Sequence, residues 1–403
     1  MRPLLGIALL LLLAWALSER RREIPWRVVI GGMALQAVLA LAFIYLPPAR
    51  RAMQALNDAV SVLERATDAG TGFMFGYLGG GALPFAETFP GASFILAFKI
   101  LPLVLVISAL AALLFHWRIL QAVTRGFGWL LQRTLGIGGA LSLGAATHIF
   151  VGMVEAPLLI RPWLGRMQRG ELFALMSCGL AGIAGTVMVI YAGILGPIIP
   201  DALGNILIAS VISTPAALAI AALMVPFGPS TAEGNITLPH RPTSSLDALV
   251  RGTLDGIPII TGITAVLIVT VALVTLVNTA LAPYSLQQLF ALPFRPVMYL
   301  IGIPWNESAV AADLMASKTV LNEFVAYLAL AKTAPEALSP HSRIIMTYAL
   351  CGFANFGSLG IMVGGMGAMV PERRAEITGL GLRAILAGTM ATCTSGAIAG
   401  MLL

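Results

Sequence analysis

The most informative stretch of the sequence is Phe150-Val-Gly-Met-Val-Glu-Ala-Pro-Leu158. It contains a carboxylate, Glu155, and a proline, Pro157, in otherwise apolar surroundings. A straight transmembrane helix accommodates a charge and a proline at mid-depth poorly, because no water is present to solvate either group. A re-entrant helical hairpin accommodates both when protein or water surrounds it. We therefore predict a first re-entrant hairpin over residues 138–166.

A second stretch, Lys318-Thr-Val-Leu-Asn-Glu-Phe-Val-Ala326, repeats this pattern nearer the C-terminus. It predicts a second re-entrant hairpin over residues 298–333, with Glu323 inside the apolar region. Carboxylates at membrane depth usually mark a substrate pathway or a binding site, because burying their charge is costly. The alternative is a structural ion pair between Lys318 and Glu323.

The composition predicts an integral membrane protein. Of 403 residues, 58% are hydrophobic and 10% are charged, against about 25% charged in soluble domains. The net charge of +6 does not indicate a nucleic-acid partner, because the basic residues lie in short loops between apolar segments, as the positive-inside rule describes. The three cysteines form no CxxC pair, so we expect neither a zinc site nor a disulfide.

Apolar runs of about 20 residues predict about eight transmembrane helices. They cover residues 3–18, 27–47, 93–115, 170–196, 202–227, 256–282, 343–369 and 379–402. We also predict an amphipathic helix near 50–66 in a long external loop, an interfacial helix over 116–135, and a polar loop over 228–253.

The order of these elements indicates an inverted repeat. A hairpin followed by a glycine-interrupted span occurs in the middle of the chain, at 138–166 and 170–196, and again near the end, at 298–333 and 343–369. Paired interrupted segments of this kind are typical of transporters whose site lies between two repeats. The predicted fold is thus an all-α, multi-pass membrane protein of about eight transmembrane helices and two re-entrant hairpins.

Further candidate site residues are polar groups in apolar segments. Asn355 and Ser358 lie in Cys351-Gly-Phe-Ala-Asn-Phe-Gly-Ser-Leu-Gly360, where the glycines permit an unwound helix that exposes backbone groups to a ligand. A mid-membrane asparagine can instead join two helices by hydrogen bonds. His148 suits proton coupling by its titration near neutral pH, or it is a hydrogen-bonded structural residue.

Three motifs resemble those of the concentrative nucleoside transporters, the family of the NupC-like nucleoside permeases. The segments 150–162, 321–327 and 348–356 resemble that family's first hairpin, second hairpin and broken seventh helix, in the family's order and spacing. The resemblance extends over residues 93–403 and identifies the chain as a divergent member.

The resemblance implies a secondary active, elevator-type importer of nucleosides or a related ribose-like solute in the inner membrane, assembled as a homotrimer. It implies scaffold helices within residues 1–115 and 256–283, and a mobile transport part within 116–255 and 298–403.

The resemblance also assigns the site. Glu323, Asn355 and Ser358 would hydrogen-bond the ribose, for which carboxylate and amide groups are chemically suited. The nucleobase would be recognised by Glu155 and the two residues before it, Met153 and Val154. Two further residues, Val187 and Phe353, would lie near the ligand.

The chain departs from the family's pattern in two places. Met153-Val154 replaces a polar pair, so the nucleobase half of the site lacks two polar groups. His148 and Gly182 replace the asparagine and serine whose side chains bind sodium in sodium-coupled members. Because Na⁺ prefers oxygen ligands, we expect no bound metal and predict H⁺ as the coupling ion, carried by Glu155, His148 or Glu323. No cofactor is expected.

Two alternatives belong to other classes of protein. A membrane-embedded enzyme acting on a non-nucleoside substrate would require a nucleophile, a metal cluster or a phosphate-binding motif, and the sequence contains no HExxH motif and no P-loop. A gate-domain protein that does not transport would not need Glu323, Asn355 and Ser358. The sequence therefore favours a transporter, not an enzyme.

Overall fold

The fold is described from a computed structural model, which describes residues 2–86, 95–228 and 242–403. Throughout these residues the regular structure is helical, without a β-strand. The helices are α1 (Arg2–Ala16), α2 (Trp26–Tyr45), α3 (Pro47–Phe75), α4 (Leu96–Lys99), α5 (Leu103–His116), α6 (Ile119–Leu135), α7 (Gly139–His148), α8 (Glu155–Leu159), α9 (Arg161–Leu164), α10 (Arg169–Ala181), α11 (Gly185–Leu195), α12 (Ala202–Met224), α13 (Ser245–Leu281), α14 (Leu286–Leu300), α15 (Ser308–Val320), α16 (Glu323–Lys332), α17 (Pro340–Leu350), α18 (Phe356–Met369) and α19 (Arg374–Leu402).

Both predicted hairpins are present as helix–turn–helix units. The first consists of α7 followed by α8 and α9, and the second consists of α15 and α16. In the second, Asn322 caps α16, because its side-chain oxygen accepts a hydrogen bond from the Val325 amide at 2.9 Å. The second hairpin begins at Ser308 and not at residue 298, as predicted, because the preceding residues form α14.

Both predicted helix interruptions are also confirmed. Residues 182–184 separate α10 from α11, and residues 351–355 separate α17 from α18. In each interruption the backbone leaves the helical ladder, so amide and carbonyl groups are free to bond to other elements. The chain thus carries four interrupted elements, two hairpins and two broken helices.

The predicted polar loop over 228–253 is wrong from Ser245 onward, where α13 begins. The Ser244 hydroxyl accepts a hydrogen bond from the Asp247 amide at 3.1 Å, and the Asp247 carboxylate accepts one from the Thr243 amide at 2.8 Å. These caps satisfy the first backbone amides, so a helix can begin in polar sequence. Residues 229–241 of the predicted loop lie outside the described residues.

The two predicted surface helices form. The amphipathic helix expected near 50–66 is α3, which is longer at both ends. The helix expected over 116–135 is α6. Its position in the membrane interface stays a prediction.

Small residues bring α2 against α12. A Cβ atom on Gly32 would lie 2.6 Å from the Pro215 carbonyl oxygen, so only glycine permits this approach. The α2 side chain of Gln36 is fully buried there and donates to Thr394 and Ser395 of α19 at 3.2 and 3.0 Å.

The sequence assigned α12 and α19 to the transport part and α2 to the scaffold. The predicted domain boundaries stay predictions.

Helices α5 and α13 pack against each other. Gly252 of α13 lies against α5, where its Cβ would be 2.6 Å from the Ser108 carbonyl oxygen. At its other end, Val274 of α13 packs with Val320 and Leu321 at the tip of the second hairpin.

Length and apolarity mark the helices that can cross a bilayer. In the described part of the chain five segments qualify: Trp26–Tyr45, Leu96–His116, Ala202–Met224, Ser245–Leu281 and Pro371–Leu402. In their most apolar stretches, 94% of the residues of α12 are buried, against 6% for α13, so α12 lies at the centre and α13 at the periphery. The chain is a multi-pass membrane protein, and the count of eight transmembrane helices stays a prediction.

Candidate functional site

Glu323 is the centre of the candidate site. Its side chain is 5% exposed, and both carboxylate oxygens accept hydrogen bonds from side chains of other elements. The Tyr191 hydroxyl of α11 donates to Oε1 at 2.7 Å, and the Asn355 amide nitrogen donates to Oε2 at 2.8 Å. The second hairpin is therefore linked to both broken helices through one carboxylate.

Helix capping sets this geometry. Asn355 is the N-cap of α18, and its side-chain oxygen accepts a hydrogen bond from the Ser358 amide at 2.7 Å. Because the oxygen is fixed by the cap, the amide nitrogen of Asn355 must point away from α18, toward Glu323. Glu323 is itself the first residue of α16. Two helix N-termini thus converge on the site, and their partial positive charge favours a buried carboxylate.

Backbone hydrogen bonds connect the turn of the first hairpin with the breaks in the two broken helices. The Gly185 amide donates to the Phe150 carbonyl at 3.3 Å, which ties the break between α10 and α11 to the turn of the first hairpin. The Phe353 amide donates to the Gly182 carbonyl at 3.2 Å, which ties the two broken helices together. The second hairpin and the two broken helices therefore meet at Glu323, and the first hairpin joins this group through the break between α10 and α11.

The predicted nucleobase side of the site is less tightly bonded. Glu155 is exposed and, among the described residues, has no hydrogen bond or ion pair. Val154 lies against α18, since a Cβ on Gly365 would be 2.7 Å from its Cγ1. Met153 is buried, and Val187 is buried one turn before Tyr191 on α11. Glu155 is thus not bonded to the group around Glu323, and its role stays a prediction.

Three family models match the chain in succession. Residues 5–78 match the N-terminal model of Na⁺-dependent nucleoside transporters, residues 97–198 match a nucleoside recognition (Gate) model, and residues 205–400 match the C-terminal model of Na⁺-dependent nucleoside transporters. A transporter of Haemophilus influenzae is 37% identical, over 99% of this chain and 96% of its own length. Nucleoside permease NupC of Helicobacter pylori is 30% identical, over 98% and 96%. The chain belongs to the concentrative nucleoside transporter family.

The fold of the family is also matched. A structure of CNTnw in an inward-facing substrate-bound state superimposes with a TM-score of 0.91 at 36% identity, covering 100% of this chain and 98% of CNTnw. The chain spans 60% of the length of a longer relative, solute carrier family 28 member 3 of Eptatretus stoutii, at 34% identity. These proteins are transporters and not enzymes, so the enzyme alternative is excluded.

The region that the family resemblance assigns to sodium binding contains two unpaired polar groups. His148 is 4% exposed at the end of α7, its ring lies against Gly179, and its Nε2 has no hydrogen-bond partner. A Cβ on Gly182 would lie 3.2 Å from the Ser210 hydroxyl, which is buried and also lacks a partner. Among the described residues, no group of three or more His, Cys, Asp or Glu is placed to bind a metal ion.

Sequence reasoning missed one buried residue of the site region, Tyr191, and gave a wrong partner for another, Lys318. Tyr191 was not singled out, although it lies four positions after Val187 and hence on the same helix face. Lys318 was considered as an ion-pair partner of Glu323. In the described structure its ammonium makes no ion pair and donates instead to neutral oxygens, those of Ala349 and Thr392.

Proposed function

We propose that this chain is a secondary active transporter that imports nucleosides, or a solute with the same vicinal hydroxyls, across the inner membrane. The observation that carries the proposal is the buried, hydrogen-bonded pair of Glu323 and Asn355, with Tyr191 as a third member. A carboxylate and an amide together offer acceptors and a donor to the two hydroxyls of a ribose. Hydrogen bonds to a charged acceptor are about twice as strong as neutral ones, so the sugar would supply much of the affinity.

The nucleobase half of the site supports weaker discrimination between bases. Met153 and Val154 offer no hydrogen bonds, which leaves Glu155 as the polar group of the first hairpin available to the base. Its lack of a protein partner leaves its oxygens available to a ligand. We expect uridine, cytidine and adenosine to bind with similar affinities, because a site discriminates strongly where the wrong ligand leaves the site's own buried polar groups unpaired, and Met153 and Val154 have no polar side-chain group.

An elevator-type movement is the proposed transport step. The tip of the second hairpin packs on α13 through apolar contacts between Val274, Val320 and Leu321. Such contacts are non-directional and can be exchanged as one body slides past the other. We propose that α5 and α13 belong to the stationary part, within a homotrimer, while the hairpins and broken helices move with the substrate.

We propose H⁺ as the coupling ion. Gly182 contributes no side-chain oxygen, and the imidazole of His148 is a poor ligand for a hard cation. The site retains three groups that can carry a proton, namely Glu155, His148 and Glu323. Acidic and imidazole groups on a transport path are suited to proton relay.

Sodium coupling is the second candidate, and one observation favours it. The unpaired Ser210 hydroxyl lies near Gly182, and the carbonyl oxygens of Cys178 and His148 lie 3.8 and 3.9 Å from the position of a Cβ on Gly182. Oxygen atoms of this kind are the ligands that a hard cation prefers.

Uptake of radiolabelled uridine by proteoliposomes distinguishes the two ions. We expect uptake driven by an inwardly directed pH gradient in sodium-free buffer, unchanged when a Na⁺ gradient is added. Uptake that requires the Na⁺ gradient and ignores the pH gradient would contradict H⁺ coupling. The double variant His148→Asn with Gly182→Ser restores both side-chain oxygens, and we expect it to acquire dependence on Na⁺.

A further inference from the structure

Lys318 is a buried cation that the proposed binding site does not yet explain. It lies on α15, in the first arm of the second hairpin, and its side chain is fully buried. Its Nζ donates to the Ala349 carbonyl at 2.9 Å and to the Thr392 hydroxyl at 3.1 Å. One ammonium therefore joins three elements: the second hairpin, the end of α17 and the middle of α19.

The hydrogen bond from Lys318 to the Ala349 carbonyl lies at the C-terminal end of α17. Ala349 is in the last turn of α17, directly before the break that leads to Asn355. The last carbonyls of a helix have no intrahelical partner and carry a partial negative charge. The Lys318 ammonium satisfies one of these carbonyls, and so fixes the point where α17 ends and the unwound segment begins.

The charge of Lys318 also acts on the site. A buried ammonium that meets only neutral oxygens is costly unless a negative charge is nearby. Glu323 follows Lys318 by five residues in the same hairpin, and both side chains are buried. Glu323 is therefore the carboxylate that offsets the charge of this ammonium.

We infer that Lys318 is a positioning residue for ribose recognition, which offsets the charge of Glu323 and holds the broken helix so that Asn355 faces that carboxylate. This inference rests on the proposed nucleoside transport. It predicts that loss of the ammonium impairs recognition of the sugar hydroxyls and not merely protein stability. A residue that only anchored three helices would lower stability without changing selectivity between ligands.

The test compares affinities for uridine and for 2′,3′-dideoxyuridine, which lacks both hydroxyls, by calorimetry on purified protein in detergent. The ratio of the two dissociation constants measures recognition of the hydroxyls. The variants are Lys318→Met, Glu323→Gln and the double variant. Lys332→Met, an exposed lysine at the end of α16, is the matched control.

We expect Lys318→Met to reduce the selectivity ratio about tenfold, and Lys332→Met to leave it unchanged. In the Glu323→Gln background the further change caused by Lys318→Met should be less than about twofold, because the two residues act on the same interaction. Instability of Lys318→Met that is relieved in the double variant would support charge compensation, since removing one of two buried charges is worse than removing both.

A Lys318→Met variant that keeps the wild-type ratio would overturn the inference. Equal reductions in the wild-type and Glu323→Gln backgrounds would overturn it too, because independent effects add. If neither lysine variant can be purified, Thr392→Val removes one acceptor of the ammonium, and an unchanged ratio in that variant rejects the inference. A wild-type protein that binds no nucleoside rejects the proposed function itself, whereas normal wild-type discrimination with an unchanged Lys318→Met rejects only the role of Lys318.

Discussion

Asn355 performs two tasks with one side chain. Its oxygen caps α18 through the Ser358 amide, and its nitrogen donates to Glu323. The cap fixes the orientation that recognition requires, so fold and site depend on the same amide. This dual use explains how a short polar residue can be retained in the middle of a membrane protein without an unpaired group.

The variant Tyr191→Phe tests whether the Tyr191 hydroxyl orients the Glu323 carboxylate for binding. Its hydroxyl donates to Glu323 Oε1 at 2.7 Å, and both groups are buried. Because a hydrogen bond to a carboxylate contributes about 1.5–3 kcal/mol, we expect Tyr191→Phe to weaken uridine binding about tenfold. Calorimetry on the purified variant measures this change, with Tyr284→Phe at an exposed tyrosine as the control. Tighter binding in Tyr191→Phe would mean that the hydroxyl competes with the ligand and does not orient the carboxylate.

Glu323 and Asn355, which the structure brings together, could be singled out from the sequence, because a charge or an amide in an apolar segment is costly without a partner. Tyr191 could not be found by the same argument. A tyrosine in a membrane helix is unremarkable, since its ring is apolar and its hydroxyl usually finds a partner. The partner here comes from a hairpin 132 positions away along the chain, which no local pattern indicates.

Glu19 and two arginines, Arg169 and Arg383, form a small network of ion pairs. Glu19, in the link between α1 and α2, accepts a hydrogen bond from Arg169 at the start of α10 at 3.0 Å, and it also contacts Arg383 of α19. The hydrogen bond from Arg169, followed by the attraction of both arginines, lowers the pKa of Glu19 below its ordinary value of 4.5. Three elements are joined through this carboxylate.

The lowered pKa predicts a pH dependence of stability. The folded state binds the proton of Glu19 less readily than the unfolded state, so the stabilisation is complete above pH 4.5 and is lost as the pH falls through the lower folded value. We expect Glu19→Gln to lower the unfolding free energy by about 1 kcal/mol near neutral pH, as is typical of partly exposed ion pairs. Thermal unfolding in detergent from neutral pH to below 4.5 measures the difference. A difference that persists in acid, or one equal to that of the exposed control Glu336→Gln, would contradict this account.

At the level of elements, the hairpins and broken helices followed from glycine, proline and carboxylate placement. The missed helix α14 contains Pro293 and Pro296, which argue against a helix interior. It nevertheless forms, with a capping box between Ser285 and Gln288. The early start of α13 was missed because its first residues are polar and its caps are visible only once the backbone is folded.

On the scale of the whole molecule, the structure consists of a buried centre and an exposed periphery. The centre contains α12 and the four interrupted elements, which contact one another through Phe150, Gly182, Glu323 and their partners. The periphery contains the α5–α13 pair. Hydropathy predicts the spans but not their neighbours, so the grouping of α2 with α12 could not be read from the sequence. It depends on Gly32 and on the buried hydrogen bonds of Gln36.

The central claim is that the second hairpin and the two broken helices converge to place the Glu323 carboxylate where a nucleoside's sugar binds. Uridine binding to purified protein, compared between wild type, Glu323→Gln, Val154→Thr and the exposed control Glu336→Gln, tests it most directly. We predict at least about a tenfold loss of affinity for Glu323→Gln, because a charge-assisted hydrogen bond is lost, a smaller change for Val154→Thr, and none for Glu336→Gln. Unchanged affinity in Glu323→Gln, with wild-type protein that binds uridine, would contradict the account.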